Sequence, residues 1–215
     1  MAILLVAATE LEIAEMQSKA GDDLEILITG IGSVATCYHL SKALESRRYS
    51  LIIQAGIAGT FNDNHQLADV VVVKQDCFGD LGIEENGTFL PINNTSLANA
   101  NAAPFSNGFL INEFRIAGTE DLERVKAVTV NKVSDSEVQK EQLIVNFNPD
   151  IESMEGAGFF YVALQHDTPF VQLRSISNYV GDRNKANWKM KDAKKNLCSV
   201  IDQVIEKNLR INKDY

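Results

Sequence analysis

The sequence predicts an α/β fold in which a largely parallel or mixed sheet is covered by helices on both faces. Strand-like and helix-like segments alternate along the chain. Several strand segments are continuously apolar, notably Val70-Val71-Val72-Val73, as strands buried on both sides must be. At 215 residues and 45% hydrophobic content the chain is long enough for one sizeable core and too short for two comfortable ones, so residues 1–215 are expected to form a single domain.

In order, Ile3 to Ala7 reads as a strand, and Glu10 to Ala20 as a helix that stops at Gly21. Leu24 to Thr29 is a second strand, and Gly30-Ile31-Gly32 turns the chain into a helix reaching about Ser46. Leu51 to Gln54 is a third strand that runs into a loop of small residues, Gly56-Ile57-Ala58-Gly59, and Asp69 to Lys74 is a fourth. From Gly79 to Asn112 the chain is rich in Gly, Asn, Ala and Pro, which predicts loops around short elements, with Phe89, Leu90, Phe105 and Phe109 needing cover. A strand at Ala127 to Val130, a helix over Ser136 to Val145, a buried helix after Glu155, a strand from Pro169 to Arg174 and a helix from about Lys189 to Leu209 complete the pattern.

Composition excludes several classes of function. A formal charge of -9 argues against a phosphate-backbone surface. Lys185, Lys189, Lys191, Lys194 and Lys195 read as one solvated helix face. The opening Ala2 to Ala8 lacks a basic leader and meets Glu10 and Glu12 at once, so a strand is expected there and not a signal peptide. No apolar run has the length of a membrane span. Cys37, Cys77 and Cys198 are odd in number and far apart, which suits reduced thiols in a cytoplasm. His39, His65 and His166 have no ligand spacing, and no metal site is expected.

Candidate chemistry gathers at strand ends. Gly30-x-Gly32-x-x-Ala35 has the local form of a dinucleotide turn, but the next strand ends in Gln54-Ala55-Gly56 where a ribose-binding acid belongs, so the turn is expected only to border a site. Glu12 lies just past the first strand, where open α/β sheets hold ligands, although with Glu10 and Glu15 it also fits an acidic helix face. Gly59 and Ala58 leave backbone free to approach a flat base. Glu152-Ser153-Met154-Glu155-Gly156-Ala157-Gly158 brings two carboxylates to the start of an apolar helix, with Glu155 near its N-terminus; an ordinary helix start capped by Ser153 fits the same residues. Arg174-Ser175-Ile176-Ser177-Asn178 sets polar groups at another strand end, or forms a hydrogen-bonded turn.

Together, Ala8-Thr9-Glu10-Leu11-Glu12, Gly30-Ile31-Gly32, Gly56-Ile57-Ala58-Gly59, Leu67-Ala68-Asp69-Val70-Val71-Val72, Ser153-Met154-Glu155-Gly156-Ala157 and Arg174-Ser175-Ile176-Ser177-Asn178 resemble, in order, the landmarks of the purine nucleoside phosphorylase and methylthioadenosine nucleosidase superfamily. Phe78-Gly79-Asp80-Leu81-Gly82, Val128-Thr129-Val130-Asn131 and Ser177-Asn178-Tyr179-Val180-Gly181 look most like its futalosine hydrolase branch, of the alternative menaquinone pathway. The resemblance implies a three-layer α/β/α sandwich with a central mixed sheet, no cofactor, a small-molecule nucleoside substrate, no nucleic-acid or membrane partner, a cytoplasmic location and a homodimer or larger homo-oligomer. It implies Glu12 as the base for a hydrolytic water, Glu155 and Met154 at the ribose with Ser153 beside them, Ala58 and Gly59 along the base, and Val133, with Ser134 next to it, over the purine.

Position 178 departs from the adenine-cleaving members, which have an aspartate that protonates N7. An amide cannot give that proton; it can hydrogen-bond a 6-oxopurine such as hypoxanthine, whose developing charge spreads onto O6. The expected reaction is therefore hydrolysis of futalosine to hypoxanthine and dehypoxanthine futalosine. The alternatives are a methylthioadenosine/S-adenosylhomocysteine nucleosidase, a purine nucleoside phosphorylase, and a purine-binding module without catalysis. A carboxylated substrate tail would call for a cation among Lys132, Arg183, Lys185 and Arg115. Phe159 and Phe160 are expected in the core, and Trp188 is left open between core and ligand.

Overall fold

The computed structural model describes residues 1–213, so Asp214 and Tyr215 of the expected domain lie outside the described residues. Its strands and helices are β1 (Ile3–Ala7), β2 (Leu24–Ile28), α1 (Ser33–Ser46), β3 (Leu51–Thr60), β4 (Val70–Asp76), β5 (Gly82–Glu85), β6 (Thr88–Pro91), β7 (Leu110–Ile111), β8 (Arg124–Thr129), α2 (Glu137–Phe147), β9 (Ile151–Ser153), α3 (Gly156–Gln165), β10 (Phe170–Tyr179) and α4 (Met190–Lys213). Strand order in the main sheet is β10-β4-β8-β9-β3-β1-β2, and β10 also pairs directly with β3. Pairings of β1 with β2 and β3, of β3 with β10, and of β8 with β4 and β9 are parallel; β4 runs antiparallel to β10 and β7, and β9 to β3. The sheet is mixed.

Both faces of the sheet are buried. Leu4 and Val6 of β1 join a core with Ile52, Phe159, Phe160 and Phe170, whereas Ile3, Leu5 and Ala7 join a second one with Leu173, Leu197, Ile201 and Val204 of α4. Val71 and Val73 fall in the first core and Val72 in the second, which is why β4 shows no alternation of apolar and polar residues. Phe159, Phe160 and Phe170 pack edge to face, with centroids 4.9 to 6.3 Å apart. The aromatic pair at the start of α3 is core, as its apolar run predicts.

Four elements differ from the sequence expectation. Glu10 to Ala20 is not an α-helix but two 3-10 segments, Glu10–Glu12 and Ala14–Lys19. Ile13, at the junction of the two segments, has φ -125°, outside the helical range, and its side chain is buried with that of Met16. Strand β3 does not end at Gln54; Gly56-Ile57-Ala58-Gly59 is strand, hydrogen-bonded to β10 and, at Gly59 and Thr60, to β9. Arg174 to Asn178 is likewise strand, because β10 is held by β3 on one side and β4 on the other. Ser153 ends β9 and does not cap α3; Glu155 is the residue at that N-cap. Small residues read as loops because propensity sees no neighbour, while the sheet supplies partners on both sides.

The middle segment contains the short β5–β6 hairpin, turned at Asn86-Gly87, and β7. Phe105 packs on Phe78 and Tyr161, and Phe109 against the cluster of Cys77, Val128, Val130 and Leu143. Phe160→Ala should lower unfolding free energy by about 3–5 kcal/mol in denaturant titrations, because Phe159 and Phe170 hold the cavity open.

Candidate active site

Long strands with small residues at their ends leave a cavity of about 360 Å³ over the sheet. Its lining includes Glu12, Ala58, Gly59, Val133, Ser153, Met154, Glu155 and Asn178, so all eight residues singled out from sequence meet at one place. Ser134 and Trp188 line it too, and Phe159 and Phe160 do not. The space is of a size to take a small molecule.

Glu12 is held by three donors. Its Oε1 accepts from the Ile57 N–H at 3.2 Å, and its Oε2 from the Thr9 N–H at 3.0 Å and the Thr9 hydroxyl at 3.1 Å. Burial pushes its carboxyl above the ordinary glutamate value; Arg174 pulls it down, Glu155 adds to the rise, and the Ile57 and Thr9 N–H groups pull down. Glu155 points away from the helix it caps. Its Oε1 accepts from the Gly32 N–H at 3.1 Å, so the glycine turn that imitates a dinucleotide motif serves to hold a carboxylate. Gly32 has φ 92°, a backbone state that favours glycine.

Under both acids lies Arg174, its side chain 2% exposed, with Nη1 3.6 Å from Glu155 Oε2. Nη2 donates to Gln54 Oε1 at 3.3 Å, and the Gln172 amide oxygen faces the guanidinium at 3.0 Å from Nε and 3.1 Å from Nη2. Arg174 and Gly56 are register partners across β10 and β3. A Cβ on Gly56 would run into Arg174 Nη1 and lie 2.9 Å from Glu12 Oε1. The glycine is there because the guanidinium occupies its side-chain space.

Asn178 sits at a bulge. Ile176 pairs with Ala58 and Asn178 with Gly59, leaving Ser177 as the extra residue. The Ser177 hydroxyl, within 3.2 Å of the Ala58 carbonyl, donates to Asn178 Oδ1 at 2.8 Å, and Asn178 Nδ2 donates to the Tyr179 carbonyl at 2.9 Å. These partners fix which end of the amide is which and leave one N–H unspent.

Sequence reasoning missed Arg174 as a site component, although Gln172 and Arg174 alternating within an otherwise apolar strand were a visible signal. It also assigned nothing to Glu152, which lines the cavity, accepts from the Ser134 N–H at 3.0 Å and from the Ser134 hydroxyl, and has its carboxyl raised by burial. Of the four cations named for a substrate tail, Arg183 lines the cavity, stacked 5.5 Å from the Trp188 ring centroid, and Lys194 joins it. Lys132 and Arg115 line other hollows, and Lys185 lies in a 3-10 turn outside the lining.

The family model of the Phosphorylase superfamily matches residues 11–206. The chain belongs to this superfamily, among its nucleosidases. It is an enzyme of the N-glycosyl hydrolase class. The futalosine hydrolase of Acidothermus cellulolyticus is 31% identical over 176 residues, 80% of this chain and 71% of that one. That of Streptomyces coelicolor is 27% identical over 190 residues, 85% and 77% of the two chains. The fold matches a 5'-methylthioadenosine/S-adenosylhomocysteine nucleosidase of Neisseria meningitidis, solved with methylthio-immucillin-A, with TM-score 0.78 and 16% identity over 96% and 99% of the chains.

Gly56→Ala should push Arg174 away from Glu155 and cost about 1–3 kcal/mol of stability through overpacking. Denaturant unfolding and a crystal structure of the variant check both.

Proposed function

We propose that this nucleosidase hydrolyses the N-glycosidic bond of a 6-oxopurine nucleoside, and that futalosine is its substrate, released as hypoxanthine and dehypoxanthine futalosine. Asn178 carries the reading. Its Oδ1 is taken by Ser177 and one N–H by Tyr179, so toward the cavity it presents an N–H and no acid. A leaving 6-oxopurine gathers charge on O6 and N7, both acceptors, and that N–H suits them. Adenine leaves with a proton on N7, which an amide cannot provide.

In this reading Glu12 takes a proton from a water at the anomeric carbon, and its three donors hold it still while its raised carboxyl makes it a better base than an exposed glutamate. Glu155, fixed by the Gly32 N–H, accepts from ribose hydroxyls, with Met154 packed on the sugar and Ser153 beside it. Ala58 and Gly59 flank the base, and Val133 covers it. Arg174 is bound up with Glu155, Gln54 and Gln172 and is absent from the cavity lining, so among the described residues it does not offer a phosphate site there; water is the nucleophile. Arg183 and Lys194 suit a negatively charged substituent on the nucleoside. We read the sheet with helices on both faces as the three-layer α/β/α sandwich of one nucleosidase domain. Leu97, 69% exposed in the loop-rich middle, fits contact with a second copy.

Futalosine, inosine and methylthioadenosine assayed side by side without phosphate, with chromatography of the released base, should give hypoxanthine from futalosine, and Asn178→Asp should gain adenine release from methylthioadenosine. Adenine release by the unmodified protein with futalosine untouched would sink the assignment. Glu12→Gln should lower kcat by about a hundredfold to ten-thousandfold. Because Glu12 must be ionised to act and its carboxyl is raised, kcat/KM should fall on acidification at a pH above the ordinary glutamate value of 4.5.

A further inference from the structure

From Arg183 to Lys195 the chain carries six cations, Arg183, Lys185, Lys189, Lys191, Lys194 and Lys195, and a single acid, Asp192. In a chain of formal charge -9 this balance is reversed. Elsewhere lysines find acids, as Lys19 finds Asp202 and Lys207 finds Glu120. Among the described residues none of these six cations forms an ion pair; Arg183 stacks on Trp188 and acts on Glu152 only through space. The unpaired charge gathers at the cavity. Arg183, Trp188, Met190 and Lys194 line it. Lys185 opens the 3-10 turn between Arg183 and Trp188, and Lys189 stands between Trp188 and Met190, its N–H donating to the Ser177 carbonyl at 2.9 Å. In α4, Met190 and Lys194 lie one turn apart on the cavity side, and Lys191 and Lys195, one position on, form the adjacent stripe. Deep in the same cavity the sign is opposite: Glu152 and Glu155 are buried, whereas Arg183 is exposed.

We infer that this cationic rim selects nucleosides that carry an anion at the end remote from the base, and turns them base first into the cavity. A cleft edged by one sign of charge focuses its field outward and raises the rate at which ions of the other sign arrive, by about tenfold to a thousandfold. Orientation follows from the acids below. A ligand entering anion first would bring its charge against Glu12, Glu152 and Glu155, all in the lining; entering base first, it leaves that charge among Arg183, Lys194 and the outer lysines. An uncharged nucleoside gains nothing from the rim. The field of exposed lysines is screened over about 10 Å at 0.1 M salt, so the advantage belongs to low and moderate ionic strength. A merely solvated helix face would treat charged and uncharged nucleosides alike.

This role deepens the nucleoside reading above and rests on it, and the test keeps the two apart. The probes are 5'-carboxyphenylthio-inosine with its uncharged 5'-phenylthio counterpart, and the matching pair of adenosines. Trp188 is the only tryptophan of the chain and lines the cavity, so its fluorescence follows association whether or not the ligand is cleaved. In stopped flow at about 20 mM salt the carboxylated inosine should associate about tenfold faster than the uncharged one. At about 500 mM that advantage should shrink to about twofold. Lys185→Gln, Lys189→Gln, Lys191→Gln and Lys195→Gln combined, all outside the lining, should remove most of the advantage at low salt and leave association of the uncharged probe unchanged. Equal rates for the two wild-type associations at low salt, or an advantage that neither salt nor the four substitutions moved, would overturn the rim and return these lysines to a solvated face. Were the protein to bind the adenosine pair instead, the reading of the base would fall, and the same comparison within that pair would still decide the rim.

Discussion

A guanidinium in the interior of a sheet needs compensation from every direction, and Arg174 sets that demand on the rest of this protein. A lone buried cation is costly enough that it would not persist without partners. Four side chains answer it: Glu155 at 3.6 Å, Gln54 at 3.3 Å, Gln172 at 3.0 Å, and Glu12 through the field that the two share. They arrive from the N-cap of α3, from β3, from β10 and from the segment after β1. Bringing them to one point fixes how those elements meet.

Space is the other half of the constraint. The guanidinium fills the side-chain position of Gly56, and the contact of Asp76 with Gln172 fills that of Gly156. Glycine within a strand or opening a helix is otherwise unfavourable, so these two positions trade local propensity for room. What results is a rigid floor: Glu12 held by three donors and Glu155 by the Gly32 N–H, with side chains whose places are set before any ligand arrives. Electrostatic work at a reacting centre depends on this kind of prior arrangement. The bulge at Ser177 is a smaller instance, since one extra residue lets a hydroxyl lock the Asn178 amide in a chosen sense.

Much of this was legible in the sequence. Alternating segments and the unbroken apolar run of Val70 to Val73 determined an α/β fold with a sheet buried on both faces, because a strand covered twice has no polar side to show. The ordered motifs determined the family, and they marked Glu12, Ala58, Gly59, Val133, Ser153, Met154, Glu155 and Asn178, which the fold gathers around one cavity. Side-chain chemistry at 178 was readable as amide against acid without any coordinates.

Only the tertiary structure decided the rest, and for one physical reason: the deciding interactions join residues far apart in the chain. Gly56 to Gly59 is strand rather than loop because β10, more than a hundred residues later, pairs with it. Glu10 to Lys19 is two 3-10 segments rather than one α-helix, with Ile13 non-helical at their junction and buried with Met16, and with Glu12 tied to Ile57. Gly32 answers Glu155 across 123 residues, and Arg174 owes its place to Gln54, Gln172 and Glu155. Periodicity and propensity register neighbours along the chain; a buried charge registers neighbours in space, and it is the latter that made a site of these residues.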